Sequence, residues 1–475
     1  MKDIKSQTLS GFSSNLLVFL YVLSSFIIGA PYLLPTALKE LWLRNNSYEW
    51  LSNSERMMIF NNICTLGVSS FLLSGILGSY SIKYINNRRT ALLGTIIYIL
   101  GWIFCFFFEK YFYYGPFLGM ILWGISTQLL SLSKSSISAF YESRRHLVVA
   151  LVGGSIALNF IYTQLIELIT RIFANQDNLI PGLTIVQFVI LLNCILSTLW
   201  LIMFYYIIPE VPFVTPEIDY CKKVSKSLLY KNEEDLEGTM CIYKKTPTIE
   251  INRYKYSILK LWTLPLKKQL FSFLTISFIF IYSIMWFLRL YFTINMKSMI
   301  INQTNGNIEY TDFINNIFGY LLGFAFLAAI LTGMIVDFVG IFVFLILFSV
   351  SSLVILLVFS TLIPFNLYLH LLGLVMCIFC YSYFIGCPYS FFTSTYGYTH
   401  LNTLQGVSST IAGVFVLGYS FLDPYIQLNL ENLHYITLNA ILLNIFIILF
   451  SVAIALYVER LKRTFSNAYI FCHGH

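Results

Sequence analysis

Charged residues are scarce in this sequence. Only 11% of the 475 residues are Asp, Glu, Lys or Arg, whereas 58% are hydrophobic. A soluble globular protein carries about 25% charged residues, and a water-soluble fold of this length could not hide so much apolar surface. A lipid bilayer removes that difficulty because it solvates the outer faces of apolar helices. The composition therefore excludes an ordinary soluble protein and predicts an integral membrane protein.

Several catalytic and metal-binding signatures are also missing. The sequence contains no GxxxxGK[ST] phosphate loop, no HExxH metal motif and no nucleophile elbow, so we expect neither ATP hydrolysis nor another enzymatic reaction. The nine cysteines are scattered, and the one CxxC pair, Cys377 and Cys380, has no second pair to complete a metal site. We predict no disulfide framework, no metal and no cofactor.

Apolar runs long enough to cross a bilayer, about 20 residues each, divide the chain into six spans, one polar loop and six more spans. The runs fall near 15–37, 57–80, 90–108, 115–140, 147–171, 179–208, 269–293, 312–336, 340–362, 366–389, 404–422 and 434–457. The predicted fold class is an all-α membrane protein with 12 transmembrane helices in two six-helix bundles. The expected domains are an N-terminal bundle at 1–208, a cytosolic loop at 209–266, a C-terminal bundle at 267–460 and a cytosolic tail at 461–475.

The distribution of Lys and Arg predicts the orientation. Of the 29 such residues, 21 lie in the termini and in loops on one side, six lie in loops on the other side, and Lys134 and Arg289 lie inside apolar runs. Because positively charged loops stay in the cytosol, we predict cytosolic termini. The membrane is expected to be the plasma membrane. The sequons at 45–47 and 302–304 fall in loops predicted to be external.

Related sequences stand at equivalent positions in the two halves, after the second and after the eighth span. They contain six candidate gating residues, namely Gly78, Arg88, Arg89, Gly333, Asp337 and Gly340. The glycines allow close helix packing and a tight turn, and the acid can cap a neighbouring helix or pair with a base, so such contacts would latch the two bundles in one state. Both copies resemble the loop pattern G-x-x-x-D-R-x-G-x-R-R of the major facilitator superfamily. The first copy has Ile82 in place of the acid, and the second lacks the arginines.

Four further segments occur in a fixed order along the chain. They read GAPYLLP at 29–35, YESRRHL at 141–147, LRLYFTIN at 288–295 and YGYTHLNTLQG at 396–406. Together they resemble the large neutral amino acid facilitator branch of the superfamily, and equally the apicomplexan amino acid transporters. The resemblance covers both bundles but not the central loop, and it implies amino acid transport without an ATPase domain.

Ionisable residues inside a membrane are costly and are usually functional. Arg289 in span 7 could bind a substrate carboxylate with two hydrogen bonds, or it could extend to the outer surface. For Lys134 in span 4 we favour a side chain that reaches the headgroups. The midplane is predicted to be free of acids, since Asp337 lies at a cytosolic end and Asp423 at an outer end. This absence favours a facilitator over a proton-coupled carrier.

Polar and aromatic residues at plausible depths complete the predicted site. Pro31 should break span 1 and free the backbone groups before it, while tyrosines and tryptophans can stack on the solute. The alternatives are a simple kink and ordinary hydrogen bonds between helices. The predicted substrate-binding residues are Gly29, Ala30, Gln128, Ser155, Asn159, Tyr282, Trp286, Arg289, Tyr381 and Tyr383.

These observations predict a monomeric amino acid transporter in the lipid bilayer. It would work by alternating access as a uniporter or exchanger, with a small molecule as its ligand and no nucleic-acid partner. The alternatives are a carrier of another solute (a sugar, nucleoside, drug or cofactor), a cationic amino acid transporter, and a receptor or scaffold that signals through the 209–266 loop.

Overall fold

The computed structural model describes residues 11–33, 42, 48–107, 113–141, 144–172, 184–211, 264–384, 386–397, 400–428 and 433–473. All secondary structure in these ranges is helical. The predicted 209–266 loop lies outside the described residues except at its two ends. The sequon at 45–47 also lies outside them.

Every predicted span contains at least one helix. In order of spans, the helices are Ser14–Ile27; Asn53–Leu73 with Gly75–Tyr84; Asn87–Trp102; Gly115–Ser135; Arg145–Gly154 with Leu158–Ile172; Ile185–Ile207; Phe273–Gln303; Ile308–Gly323 with Ala325–Val339; Ile341–Val358; Leu367–Tyr383 with Cys387–Tyr396; Leu401–Leu428; and Leu433–His473. Among the described residues, eight helices are long and apolar enough to cross a membrane alone, and the bent pairs of spans 2, 8 and 10 raise the number to eleven. Span 1 is a shorter apolar helix. The protein is therefore an integral membrane protein.

Several helices extend beyond the apolar runs. Span 7 continues to Gln303, ten residues past its predicted end, and span 12 continues to His473 through most of the predicted tail. Hydropathy marks where lipid contact ends, whereas a helix can continue into water. The extension of span 7 forms an ion pair with the start of span 8, since Lys297 Nζ lies 2.8 Å from Asp312 Oδ1.

Polar residues set the starts of several spans. At span 2, the backbone N–H of Ser52 donates to the Glu55 carboxylate at 3.0 Å, and the Ser52 hydroxyl accepts from the Glu55 N–H at 3.4 Å. This capping box satisfies N–H groups that have no partner within the helix. The hydrogen bonds from Ser52 also lower the pKa of the Glu55 carboxyl group.

The two halves meet along two seams. Span 2 packs on span 11 in one seam, and span 5 packs on span 8 in the other. At the first seam, a Cβ on Gly75 would lie 2.6 Å from the carbonyl oxygen of Gly406. At the second, a Cβ on Gly333 would lie 2.7 Å from Leu147 Cα. Glycine is therefore required at these contacts because it lets the helix backbones approach closely.

The loops after spans 2 and 8 lie at one end of the bundle, which we call the motif end. It includes residues 85–86 and Gly340, together with the starts of spans 5 and 11. The other end is called the opposite end.

Candidate functional site

The helix of span 1 is interrupted inside the N-terminal bundle. Its helix ends at Ile27, and a short 3-10 turn follows at Pro31–Leu33. The carbonyl groups released by the break are bonded to other spans, since Tyr98 Oη donates to the Ile27 oxygen at 2.8 Å and Thr127 Oγ1 donates to the Gly29 oxygen at 2.9 Å. The backbone around Gly29 thus has side-chain partners from spans 3 and 4, which favours the interpretation of the break as a kink.

Asn159 of span 5 also forms hydrogen bonds with the backbone at the break in span 1. Its Nδ2 donates to the carbonyl oxygens of Phe26 and Ile27 at 3.0 and 3.2 Å. Its neighbour Ser155 donates to the Val152 oxygen of its own helix at 2.7 Å. These bonds favour a structural role for both residues over substrate binding.

We therefore expect Asn159→Leu to lower stability and to leave substrate affinity unchanged. The substitution leaves two buried carbonyl groups without this donor, which costs about 1–3 kcal/mol. The measurements are thermal unfolding in detergent and the KM for uptake. A KM that rises about tenfold with unchanged stability would instead place Asn159 in the substrate site.

The guanidinium group of Arg289 lies among aromatic rings. Its central carbon is 3.5 Å from the ring centre of Tyr381, 4.7 Å from that of Trp286 and 4.9 Å from that of Phe384. Trp286 and Arg289 are three residues apart on span 7 and share one helix face. Tyr381 and Phe384 are three apart at the end of the first helix of span 10. We call these four side chains the Arg289 cage.

Three polar atoms beside the cage are buried without a hydrogen-bond partner among the described residues. They are Arg289 Nη1, Trp286 Nε1 and Tyr32 Oη. All three side chains line one cavity of about 30 Å³, which we call the donor cavity. Its other lining residues are Cys64, Val68, Leu290, Thr293, Ile294 and Tyr381. A space of this size holds one or two water molecules, so the site is closed around a volume smaller than an organic solute.

The donor cavity lies where the two halves meet. Tyr32 comes from the break in span 1, whereas Arg289 and Trp286 come from span 7. A buried donor that lacks a partner costs about 1–3 kcal/mol. A carboxylate only accepts hydrogen bonds and has two oxygen atoms, so its chemistry is complementary to these donors.

The structure separates the predicted substrate residues into two groups. Trp286, Arg289 and Tyr381 form the cage, and Tyr282 lies next to it with its ring centre 6.0 Å from that of Phe384. Tyr282 does not line the donor cavity, and neither do Gly29, Ala30, Gln128, Ser155 and Asn159. The side chain of Tyr383 lies outside the described residues.

Two residues of this site were missed by the sequence reasoning. Tyr32 stands in the GAPYLLP segment, directly after Pro31, and its position just past the break was an available signal. Phe384 lies three residues after Tyr381 and so shares its helix face. That spacing is common in apolar helices and carries no specific signal.

Lys134 does not reach the headgroups. Its side chain is only 3% exposed, and its Nζ donates to Ser25 Oγ at 3.2 Å and lies 5.3 Å from the ring centre of Phe204. The predicted extension to the surface is therefore wrong. The side chain runs into the bundle between spans 1 and 6 instead.

Asp423 is also more buried than its position near a helix end indicated. It is 1% exposed and accepts a hydrogen bond of 3.4 Å from Tyr419 Oη, which in turn accepts one of 2.7 Å from Asn295 Nδ2. The opposite-end part of the C-terminal half thus contains a buried carboxylate. The supposed lack of such a group no longer favours a facilitator over an ion-coupled carrier.

Asp337 joins the two halves at the motif end. Its Oδ1 accepts from the backbone N–H of His146 and its Oδ2 from that of Leu147, both at 3.1 Å. These N–H groups belong to the first turn of the helix Arg145–Gly154 in span 5, where the helix dipole favours a negative charge. Gly333, one turn earlier on span 8, provides the close approach that this contact needs.

Two further hydrogen bonds connect the N-terminal half to the C-terminal half at the motif end. Ser138 Oγ in the N-terminal half donates to Tyr389 Oη in the C-terminal half at 2.8 Å, and Ser79 Oγ donates to the Asn402 carbonyl oxygen. We call these two bonds and the Asp337 contact the motif-end latch. With the latch formed, the two halves are in contact across this end of the molecule.

The remaining predicted gating residues act within one half or at a turn. Arg88 donates from Nε to the Ile208 oxygen and from Nη1 to Glu210, both at 2.9 Å, which ties span 3 to the end of span 6. Arg89 is exposed. Gly78 packs on Leu132 of span 4 rather than on the other half. Gly340 forms the turn between spans 8 and 9 with a φ of 85°, a conformation that favours glycine.

Solved structures of transporters share this architecture. The proton:xylose symporter XylE bound to 6-bromo-6-deoxy-D-glucose is 14% identical, with 92% of this chain and 96% of that chain covered and a TM-score of 0.59. The human organic anion transporter MFSD10 is 12% identical, with coverages of 94% and 99% and a TM-score of 0.57. A POT family transporter in complex with 5-aminolevulinic acid is 14% identical, with coverages of 95% and 97% and a TM-score of 0.55.

At these identities the likeness concerns the fold. No protein-family model matches the sequence, and no curated protein matches it as a relative. The helical architecture and its coverage of whole transporter chains confirm the predicted fold class. The chain has the fold of the major facilitator superfamily of membrane transporters.

Proposed function

We propose that this protein transports amino acids across the plasma membrane by alternating access. The observation that carries the proposal is the donor cavity, where three buried donors without partners converge between the two halves. Both termini would lie in the cytosol, with the motif end as the cytosolic end.

The donor cavity offers complementary groups to both ends of a zwitterion. Arg289 can hold a carboxylate with two hydrogen bonds, and Tyr32 and Trp286 can each add one. On the same cavity wall, Tyr381 Oη and Thr293 Oγ1 are hydrogen-bonded to each other. Because hydroxyl oxygens also accept hydrogen bonds, they can receive the substrate ammonium group.

The same geometry suggests how binding is coupled to movement. A carboxylate held by both Arg289 and Tyr32 would connect span 7 to span 1, and so the C-terminal half to the N-terminal half. A ligand shifts a conformational equilibrium only through its different affinities for the two states. Bridging both halves provides that difference, since the bridge exists only when the halves close around the solute.

We propose that residues 1–208 and 267–460 move as the two bodies in this cycle. The motif-end latch would close the cytosolic side while the site is filled from outside, and it would open to release the solute. The 209–266 loop would then act as the covalent connection between them.

In proteoliposomes containing the purified protein, we expect uptake of labelled L-amino acids above that of empty liposomes. Competition with the matching methyl esters and decarboxylated amines is expected to fail, because neither analogue presents a carboxylate to Arg289. Competition with the free amino acid is the positive control. Failure of every amino acid to enter or exchange, with the protein inserted and folded, would overturn the proposal.

A second candidate is an organic anion carrier. Lys134 is buried and Arg289 is partly buried in the helix bundle. Neither forms an ion pair with an acidic side chain of the described residues. If carboxylates without an amino group compete as well as amino acids do, the second candidate is favoured.

A further inference from the structure

Lys134 is buried in the N-terminal bundle, and the proposed amino acid site does not use it. Its ammonium group carries three N–H donors. One donates to Ser25 Oγ, and the Phe204 ring lies 5.3 Å from the nitrogen. Within the described ranges of the chain, no acidic side chain forms an ion pair with it.

Two other basic residues of the chain form ion pairs with carboxylates. Arg88 lies against Glu210 at 2.9 Å, and Lys297 lies against Asp312 at 2.8 Å. A buried ion without a counter-charge loses several kcal/mol of solvation energy, whereas contact with an aromatic ring returns about 0.5–2 kcal/mol. Lys134 therefore lacks most of the compensation that a buried ammonium ion needs.

A small cavity of about 10 Å³ lies beside Lys134, between spans 1, 4 and 5. Its polar lining consists of the Lys134 amine and the hydroxyls of Ser25, Thr127 and Ser131, with no acidic group among its lining residues. Its apolar lining consists of Ile28, Leu130, Val152 and Ile156. The volume corresponds to about one water molecule. A cation surrounded by hydroxyl groups is suited to a small anion.

One wall of this cavity is connected to the motif-end latch. Val152 belongs to the helix Arg145–Gly154, whose first turn is held by Asp337. Opening the latch removes the Asp337 contact from the first turn of this helix. Binding of an anion beside Lys134 would require the cavity to widen beyond the single water molecule that it accommodates when the latch is formed.

We propose that Lys134 binds one small anionic group when the motif end is open. The group is carboxylate-sized and has one of two sources, a second carboxylate on the solute or a separate inorganic anion such as chloride. The inference rests on the proposed alternating-access cycle, but not on the identity of the solute bound at Arg289.

The test is the thermal unfolding temperature of the purified full-length protein in detergent. Sodium chloride, sodium acetate and disodium succinate are compared with sodium gluconate at equal ionic strength, because gluconate is the bulkiest of the four anions. The variants are Lys134→Met, Lys134→Gln in case the first does not fold, and Lys297→Met as a matched exposed lysine. A ligand that binds the folded state raises the unfolding temperature, here by an expected shift of at least about 2 °C.

Stabilisation of the wild type and of Lys297→Met, but not of the Lys134 variants, is the expected result. Chloride or acetate acting alone would identify a separate anion, and succinate acting alone would identify a second carboxylate of the solute. Equal shifts in the Lys134 variants, or no shift in the wild type, would overturn the proposal. Arg289→Ala separates it from the transport proposal, because this variant should lose uptake and keep a shift caused by chloride or acetate.

Discussion

Arg289→Ala should reduce amino acid uptake by about 100-fold or more, since two buried hydrogen bonds to a charged group contribute about 3–5 kcal/mol. The alanine variant leaves the substrate carboxylate facing Trp286 and Tyr32 without a counter-charge. Uptake at several substrate concentrations measures the effect, because loss of carboxylate binding should raise KM. Folding is checked by thermal unfolding, since the cage also loses its cation–π contacts.

Two further variants make the Arg289 experiment specific. Arg289→Lys keeps the charge but loses the planar fork that holds both carboxylate oxygens, so we expect an intermediate loss, about tenfold. Arg460→Ala removes an exposed arginine at the end of span 12 and should leave uptake unchanged. Normal uptake by Arg289→Ala would show that the guanidinium group serves only to pack the aromatic rings.

The second large effect is expected from Asp337→Asn. The neutral amide keeps one acceptor oxygen but loses the negative charge at the start of the helix Arg145–Gly154. A charge in that position contributes about 0.3–2 kcal/mol. The equilibrium should therefore move toward the state that is open at the motif end, by up to about 30-fold, and the transport rate should fall.

Spin labels on the exposed residues Lys83 and Lys268 can measure this shift, because the two positions lie at the motif end on different halves. The labels would be placed in a background without the native cysteines. Asp337→Asn should enlarge the population with a long distance between labels. The matched control is Glu210→Gln, which removes an acid at the same end whose partner, Arg88, belongs to the same half. An unchanged distance distribution for Asp337→Asn would remove Asp337 from the latch.

The helical architecture could be predicted because lipid leaves a spanning segment few alternatives. A backbone surrounded by hydrocarbon must satisfy its own hydrogen bonds, so each apolar run becomes a helix. The ends could not be predicted in the same way. The extension of span 7 to Gln303 depends on contacts outside the lipid, such as that between Lys297 and Asp312.

The site was only partly predictable, since residue type does not identify the partner. Arg289 and Asn159 were both candidates on chemical grounds. The structure places Arg289 beside a cavity with unused donors, whereas Asn159 donates to the backbone of span 1. Lys134 was misjudged because its long side chain can run toward either the headgroups or the bundle interior, and the sequence does not say which.

The broken helix of span 1 has a consequence for the order of assembly during synthesis. The carbonyl groups at its break are bonded by Tyr98, Thr127 and Asn159, which follow between 71 and 133 residues later in the chain. A ribosome delivers span 1 to the membrane well before these donors exist. Until span 5 has entered the membrane, the free carbonyl groups of span 1 must therefore be hydrogen-bonded by the insertion machinery or by water. The N-terminal bundle consequently becomes a stable folding unit only after its fifth helix has entered the bilayer.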